Sequence, residues 1–296
     1  MKRLILFLIC LCLSVAHAQL ASLRKAENKP LDEVVGEATP EMIEDEYLRV
    51  AKKCGFAIGY TLGTGITGEV LTPEEAKEHL PKFFAAIDIF PVRFLRETKL
   101  NTVVLVRNLK LNGGRAGGLA VTGNAPGCGV IYLDVPFQSH VIYHELFHIA
   151  DKMRQNEKWT RLNDKQFSYS IGSESDKKPK PNKQEPVKTR EELRKDFTTD
   201  YAMTQEVEDR AEVFAVMVAT PKKFEEMAKA SPVLAKKAEI VKSIVREFAP
   251  AMNKDFWDFI ADSDDASRMA DLAKRAKIND QRKKDKKALL NSGYTK

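Results

Sequence analysis

The sequence predicts an α+β fold, and three observations predict it. Thr102-Val103-Val104-Leu105-Val106 and Val130-Ile131-Tyr132-Leu133-Asp134-Val135 are apolar runs of strand length, rich in β-branched residues. The stretch from Val141 to Ala150 contains His144-Glu145-Leu146-Phe147-His148, with apolar flanks that suit a helix. From about Glu206 to Leu290 the chain reads as helices. The expected architecture is a small sheet, a histidine-bearing helix, a second helix carrying glutamates, and extra helices at both ends.

The first residues read as an export signal. Lys2 and Arg3 precede an apolar run from Leu4 to Val15, too short to span a bilayer with ease. Ala16-His17-Ala18 fits a cleavage site that leaves Gln19 as the first mature residue. An uncleaved signal anchor is the alternative. Cys10 and Cys12 lie inside the apolar run and lack the small-residue pattern of a lipoprotein signal. A periplasmic or secreted protein is expected, with no stable membrane insertion once residues 1–18 are removed. Cleavage lowers the basic count from 48 to 46 against 42 acidic residues, a net charge of +4, which does not argue for a nucleic-acid partner. Cys54 and Cys128 then remain, and in an exported chain such a pair is expected to form a disulfide; two separate buried thiols are the alternative.

Residues 19–40 are polar, carry Pro30 and Pro40, and read as a flexible leader. Residues 41–296 are expected to form a single domain: an N-terminal helical part (41–100), a catalytic core (101–220) and C-terminal helices (221–296). Thr39-Pro40-Glu41-Met42 starts a helix that runs toward Lys53. A Gly-rich link (Gly55, Gly59, Gly63, Gly65, Gly68) leads to a second start at Thr72-Pro73-Glu74-Glu75. Leu80, Phe83, Phe84, Ile87 and Phe90 recur at helical spacing, and Pro81 and Pro91 should kink or divide that helix. Asn101 to Val106 is a strand, Asn112 to Gly118 a turn, and Leu119-Ala120-Val121 a further strand. The Val130–Val135 strand runs almost directly into the histidine helix. At a sheet edge it could hold an extended peptide by main-chain hydrogen bonds; inside the sheet it would only pack. Residues 172–191 are polar and read as a surface loop or insertion. The basic segment Arg275 to Lys287 reads as a solvated helix face or as a contact for an anionic surface.

His-Glu-x-x-His carries the chemistry. On a helix, His144 and His148 lie one turn apart on one face and can grip one metal ion, while Glu145 beside them can polarise a bound water. The chain has five histidines. His17 leaves with the signal, and His79 stands alone as a surface or packing residue. His140 is one turn before His144 and could bond locally. Asp151 and Arg154 stand where a third-histidine pattern needs Gly and His, so that class is excluded. A carboxylate is therefore the better third ligand for one zinc ion per chain. Glu208 and Glu212 share a helix face beside the apolar stripe Val207, Ala211, Phe214, Ala215 and Val218. Carboxylates bordering such a stripe are costly unless something positive compensates them. Glu208 is expected to bind the metal, and Glu212 to accept the free ring N–H of a ligand histidine. The alternative is a charged helix face paired with Arg210 and nearby lysines. Asp151 sits too far along the helix to close the site and is expected to support it or cap the helix. Tyr143, Tyr169 and Tyr201 all lie near these motifs, where an ordinary buried Tyr is common.

Taken together, these residues resemble the anthrax lethal factor-like family of zinc peptidases, of gluzincin type, which shares its fold with the Pro-Pro endopeptidases. His144-Glu145-x-x-His148-x-x-Asp151, then Tyr201, six residues, Glu208, two residues, Ala211-Glu212, one residue and Phe214 fill every position of the family pattern. The match spans roughly residues 130–220, and its departure is a longer gap between the two motifs. The resemblance implies a zincin-like domain, with His144, His148 and Glu208 as ligands, Glu145 as general base and Tyr201 as the hydroxyl that stabilises the oxyanion. The expected activity is hydrolysis of peptide bonds in a protein or peptide substrate. The alternatives are an exported binding module with a structural or decayed zinc site, and a zinc hydrolase acting on a non-peptide amide.

Overall fold

The structure, a computed structural model, describes residues 51, 54–122, 129–151, 157–170 and 186–262. The export signal, the leader, Cys128 and the basic 275–287 segment lie outside the described residues. So does the helix expected from Thr39, apart from Ala51, which is helical. Cys54 is buried.

The Gly-rich stretch is not a plain link. It contains β1 (Ala57–Gly59) and β2 (Ile66–Val70). Thr72 then caps α1 (Pro73–Ile87) as expected: its hydroxyl accepts from the Glu75 N–H at 3.3 Å and Glu75 Oε2 accepts from the Thr72 N–H at 2.9 Å. Pro81 lies inside α1 without ending it, because the buried face of Leu80, Phe83, Phe84 and Ile87 runs through it. Pro91 does divide the segment and starts α2 (Val92–Glu97).

The strand expected over 101–106 extends to twice that length as β3 (Leu100–Leu111). The following turn holds the two-residue β4 (Gly114–Arg115) and runs into β5 (Gly118–Thr122). β6 (Gly129–Asp134) completes a six-stranded sheet of order β1-β3-β6-β5, with β2 and β4 paired to β3 off that path. β1 and β6 both run parallel to β3, and β5 runs antiparallel to β6. The strand expected at 130–135 is thus an interior strand, flanked on both sides; the edge is β5. Alternate residues face opposite sides. Val103, Leu105, Ile131 and Leu133 join the main core under the helices, and Val104, Val106 and Tyr132 form a smaller cluster with Ile66 and Leu109.

The histidine helix α3 (Ser139–Asp151) packs on β5 and β6 and against α6 (Glu206–Ala219). Phe214 ties the two helices: its ring lies 5.0 Å from Phe147 and stacks 5.9 Å from Phe90. Such aromatic pairs each contribute about 0.5–1.5 kcal/mol beyond the area they bury. Among the described residues between them in sequence are the short helices α4 (Glu157–Thr160) and α5 (Arg190–Arg194). α5 begins within the stretch expected to be loop, where Thr189 and Glu192 form a second capping box. Just before it, Lys188 N–H donates to Gln166 Oε1 at 2.8 Å and Gln166 Nε2 to the Pro186 carbonyl at 3.1 Å, while Lys188 Nζ pairs with Asp164. Among the described residues, α6 is followed by α7 (Pro221–Ala230), α8 (Pro232–Phe248) and α9 (Lys254–Asp262). The mixed α+β architecture with a small sheet agrees with the sequence reading.

Candidate metal centre

α3 and α6 cross so that their polar residues meet in an otherwise apolar contact. His144 and His148, one turn apart, aim Nε2 atoms at a common point, 2.9 Å from one another. Glu208 Oε2 lies 3.0 Å from the first and 3.2 Å from the second. Zinc ligands at about 2.0–2.2 Å sit about 3.3 Å apart around a tetrahedron, so small outward shifts would seat an ion between them. The donor set fits one. His144 Nδ1 is 2.8 Å from Glu212 Oε1 and donates its hydrogen there, which leaves Nε2 of the neutral ring as a lone pair. Two ring nitrogens and a carboxylate oxygen then face each other and need a shared cation.

Without a metal, a proton meets that need. Burial favours the neutral His144, but the hydrogen bonds to Glu208 and Glu212 outweigh it and raise its pKa to about 10. Burial is also overcome at the carboxylates: hydrogen bonds from His144 and His148 hold Glu208 at about 2, and those from His140 and His144 hold Glu212 well below the usual range. Glu212 also accepts from His140 Nε2 at 3.0 Å, so one oxygen serves two imidazoles. His140, His144 and Glu212 form a second group with metal-ligand atoms close together, but there His144 presents Nδ1, and Glu212 Oε1 is the common acceptor of two imidazole nitrogens. The expectation that His140 bonds locally therefore resolves to a contact across the helix pair. His148 Nδ1 is buried without a hydrogen-bond partner among the described residues.

Glu145 is buried beside the three-atom cluster. Burial pushes its pKa up, and positive charge on His144 and His148 works against that. The Ala120 N–H of β5 donates to its carboxylate. Tyr201 begins a 3₁₀ turn (Tyr201–Met203) whose Ala202 and Met203 are anchored with Phe197. That turn leaves Tyr201 53% exposed, with its ring centroid 5.8 Å from that of His144 and its hydroxyl bonded to Glu208. Burial and the Glu208 charge push its pKa up. Tyr143 instead packs edge-on to Phe90, and the Tyr169 hydroxyl donates to Asp209 at 2.8 Å.

Arg210 turns from α6 to the end of α3. It is fully buried and grips Asp151 Oδ2 through Nε (3.0 Å) and Nη2 (2.7 Å), and also pairs with Glu206. Asp151 thus locks the end of α3 to α6. Two features were not anticipated. Asp209, beside Glu208, takes donors from Trp159, Tyr169 and Lys237 on one oxygen. Lys237 in turn bonds the Asp196 carbonyl and lies 3.8 Å over the Phe197 ring. The available signal was a lysine on the apolar face of α8, in register with Leu234, Ala238 and Val241. Of the expected disulfide pair, Cys128 lies outside the described residues.

Two comparisons with known proteins bear on the chain as a whole. Residues 133–255, which carry both α3 and α6, match a family model described as "Putative zinc-binding metallo-peptidase". A crystal structure of "a putative zinc-binding metallo-peptidase" from Bacteroides caccae aligns over 80% of this chain and 96% of its own, with 16% identity and a TM-score of 0.50. At that identity the likeness is one of fold. No curated protein matches the chain. The stretch of the sequence that builds the cluster is therefore similar to a family described as putative zinc-binding metallo-peptidases, and the fold around it to that of a protein of the same description.

Proposed function

We propose that this chain is an exported zinc-dependent endopeptidase, related to the lethal factor-like group, that binds one zinc ion through His144, His148 and Glu208. The observation that carries the reading is the convergence of His144 Nε2, His148 Nε2 and Glu208 Oε2 from two helices, with Glu145 alongside. Glu212 holds His144 in the tautomer that presents Nε2. When bound, zinc supplies Lewis acidity to a water and to the scissile carbonyl. Glu145 takes the proton of the attacking water, for which a raised pKa suits it, and passes it to the leaving amine. Tyr201 donates its hydroxyl hydrogen to the developing oxyanion.

A protein or peptide substrate would lie extended along β5. Asp134 N–H donates to the Gly117 carbonyl at 2.9 Å, so antiparallel alternation turns the main-chain groups of Gly118, Ala120 and Thr122 away from β6. Strand addition needs such outward groups; Glu145 takes the Ala120 N–H, which leaves the groups of Gly118 and Thr122 and the Ala120 carbonyl to face the peptide. Export follows from the signal-like residues 1–18, and oxidation of Cys54 with Cys128 would follow from export.

The test is zinc per chain and peptide cleavage for the wild type, Glu208→Ala and Glu145→Gln. The expected result is one zinc and activity in the wild type, zinc loss in the first variant, and retained zinc without cleavage in the second. A wild type that holds zinc but cuts neither peptides nor small amides would favour a binding module.

A further inference from the structure

The edge strand approaches α3 unusually closely. A Cβ at Gly118 would stand 2.6 Å from Val141 Cγ1, 2.7 Å from Glu145 Oε1 and 2.8 Å from Glu145 Cγ. Side-chain carbons do not sit that close to other heavy atoms, so any larger residue must displace something. The backbone of Gly118 does not itself demand glycine, since its φ lies outside the left-handed region. The requirement is one of space. Two residues on, the Ala120 N–H, which alternation turns away from β6, donates to the Glu145 carboxylate. The strand therefore fixes Glu145 twice: Gly118 provides the room for its side chain, and Ala120 provides a donor at its tip.

We infer that Gly118, together with the Ala120 N–H, positions Glu145 for proton transfer, so that β5 sets the place of the base as well as the place of the peptide. This rests on the endopeptidase reading above. A methyl at Gly118 points at the helix, toward Val141 and Glu145, and not along the sheet edge where the peptide would pair. It should therefore disturb proton transfer and leave peptide docking alone. A base displaced by about 1 Å can cost about 10²-fold in rate.

The experiment uses the full chain with zinc bound and one peptide that the wild type selects from a quenched-fluorescence library. Wild type, Glu145→Gln, Gly118→Ala, Val141→Ala and Gly118→Ala/Val141→Ala are compared for zinc per chain, thermal unfolding, kcat and KM. Gly118→Ala should keep its zinc, lower kcat by about 10- to 10²-fold and change KM by less than about twofold. Val141→Ala should be near wild type, and the double variant should stay slow, since only the Val141 contact has been relieved. If Gly118→Ala does not fold, the double variant carries the test. Full activity in Gly118→Ala, recovery in the double variant, or failure of both to fold would assign Gly118 to packing of α3 and overturn the inference. A rise in KM with kcat unchanged would make Gly118 a wall of the peptide site and overturn it equally. A wild type that cuts no peptide defeats the functional reading and takes the inference with it, whereas an active wild type beside an equally active Gly118→Ala defeats only the role of Gly118.

Discussion

Zinc uptake by the metal-free protein should expel close to one proton per ion at neutral pH. The proton comes from His144, which Glu208 and Glu212 hold protonated up to about pH 10. Glu208, held at about 2, is already ionised and contributes none. The ligand must present a free Nε2, so zinc competes with that proton. Below pH 10 the apparent affinity should rise tenfold per pH unit, and at pH 7 it should lie about 10³-fold under its alkaline limit, or about 4 kcal/mol. The stability of the metal-free fold runs the other way. The raised pKa of His144 stabilises the fold fully below the unfolded value near 6.5, and that contribution fades as pH rises through about 10. The lowered pKa of Glu208 stabilises above its unfolded value near 4.5 and fades as pH falls through about 2. Calorimetric zinc titration in two buffers of different ionisation enthalpy measures the protons released. An affinity that stays flat between about pH 7 and 9, with heats independent of buffer, would refute the argument.

Three further outcomes are expected. Tyr201→Phe should lower kcat by about 10²-fold or more with zinc content unchanged, since it removes one oxyanion donor; loss of zinc instead would recast Tyr201 as a support of Glu208. Glu212→Ala should weaken zinc binding by about 10- to 100-fold in a competitive chelator titration, and His140→Ala by less, because His140 acts only through Glu212. Arg210→Met should cost about 3–5 kcal/mol in denaturant unfolding, because it strands the buried Asp151 carboxylate; adding Asp151→Leu should recover part of that loss.

The metal cluster was legible because its spacing is local. Residues i and i+4 share a helix face whatever the rest of the chain does, and this placed His144 with His148 and Glu208 with Glu212. The alternative reading of the glutamates turned on Arg210, which pairs one turn back with Glu206 but whose second partner no local pattern reveals: Asp151 lies 59 residues earlier. β1 and β2 were missed for a related reason. Each is short and Gly-bearing, and each exists by pairing with β3, about forty residues on in sequence for both. Their alternation is too brief to register, and the shift between Thr67 and Glu69 breaks it in β2. Whether the 130–135 strand was edge or interior likewise depended on where β5 chose to pair. The buried Lys237–Asp209 pair escaped because a lysine in an amphipathic helix ordinarily reads as surface.

The contacts among Asp164, Gln166, Pro186 and Lys188 bear on the long interval between the two halves of the motif. They bring the chain before residue 171 and the chain after residue 185 to the same place. Those contacts hold the two stretches together by themselves, so the number of residues between them does not set where the ligand-bearing helices stand. Closing a loop twice as long costs only about 0.6 kcal/mol more. Sixty-four residues from His144 to Glu208 is therefore no handicap to a shared ion. A lineage could change the number of residues between the two stretches while the ligand geometry stayed where α3 and α6 hold it.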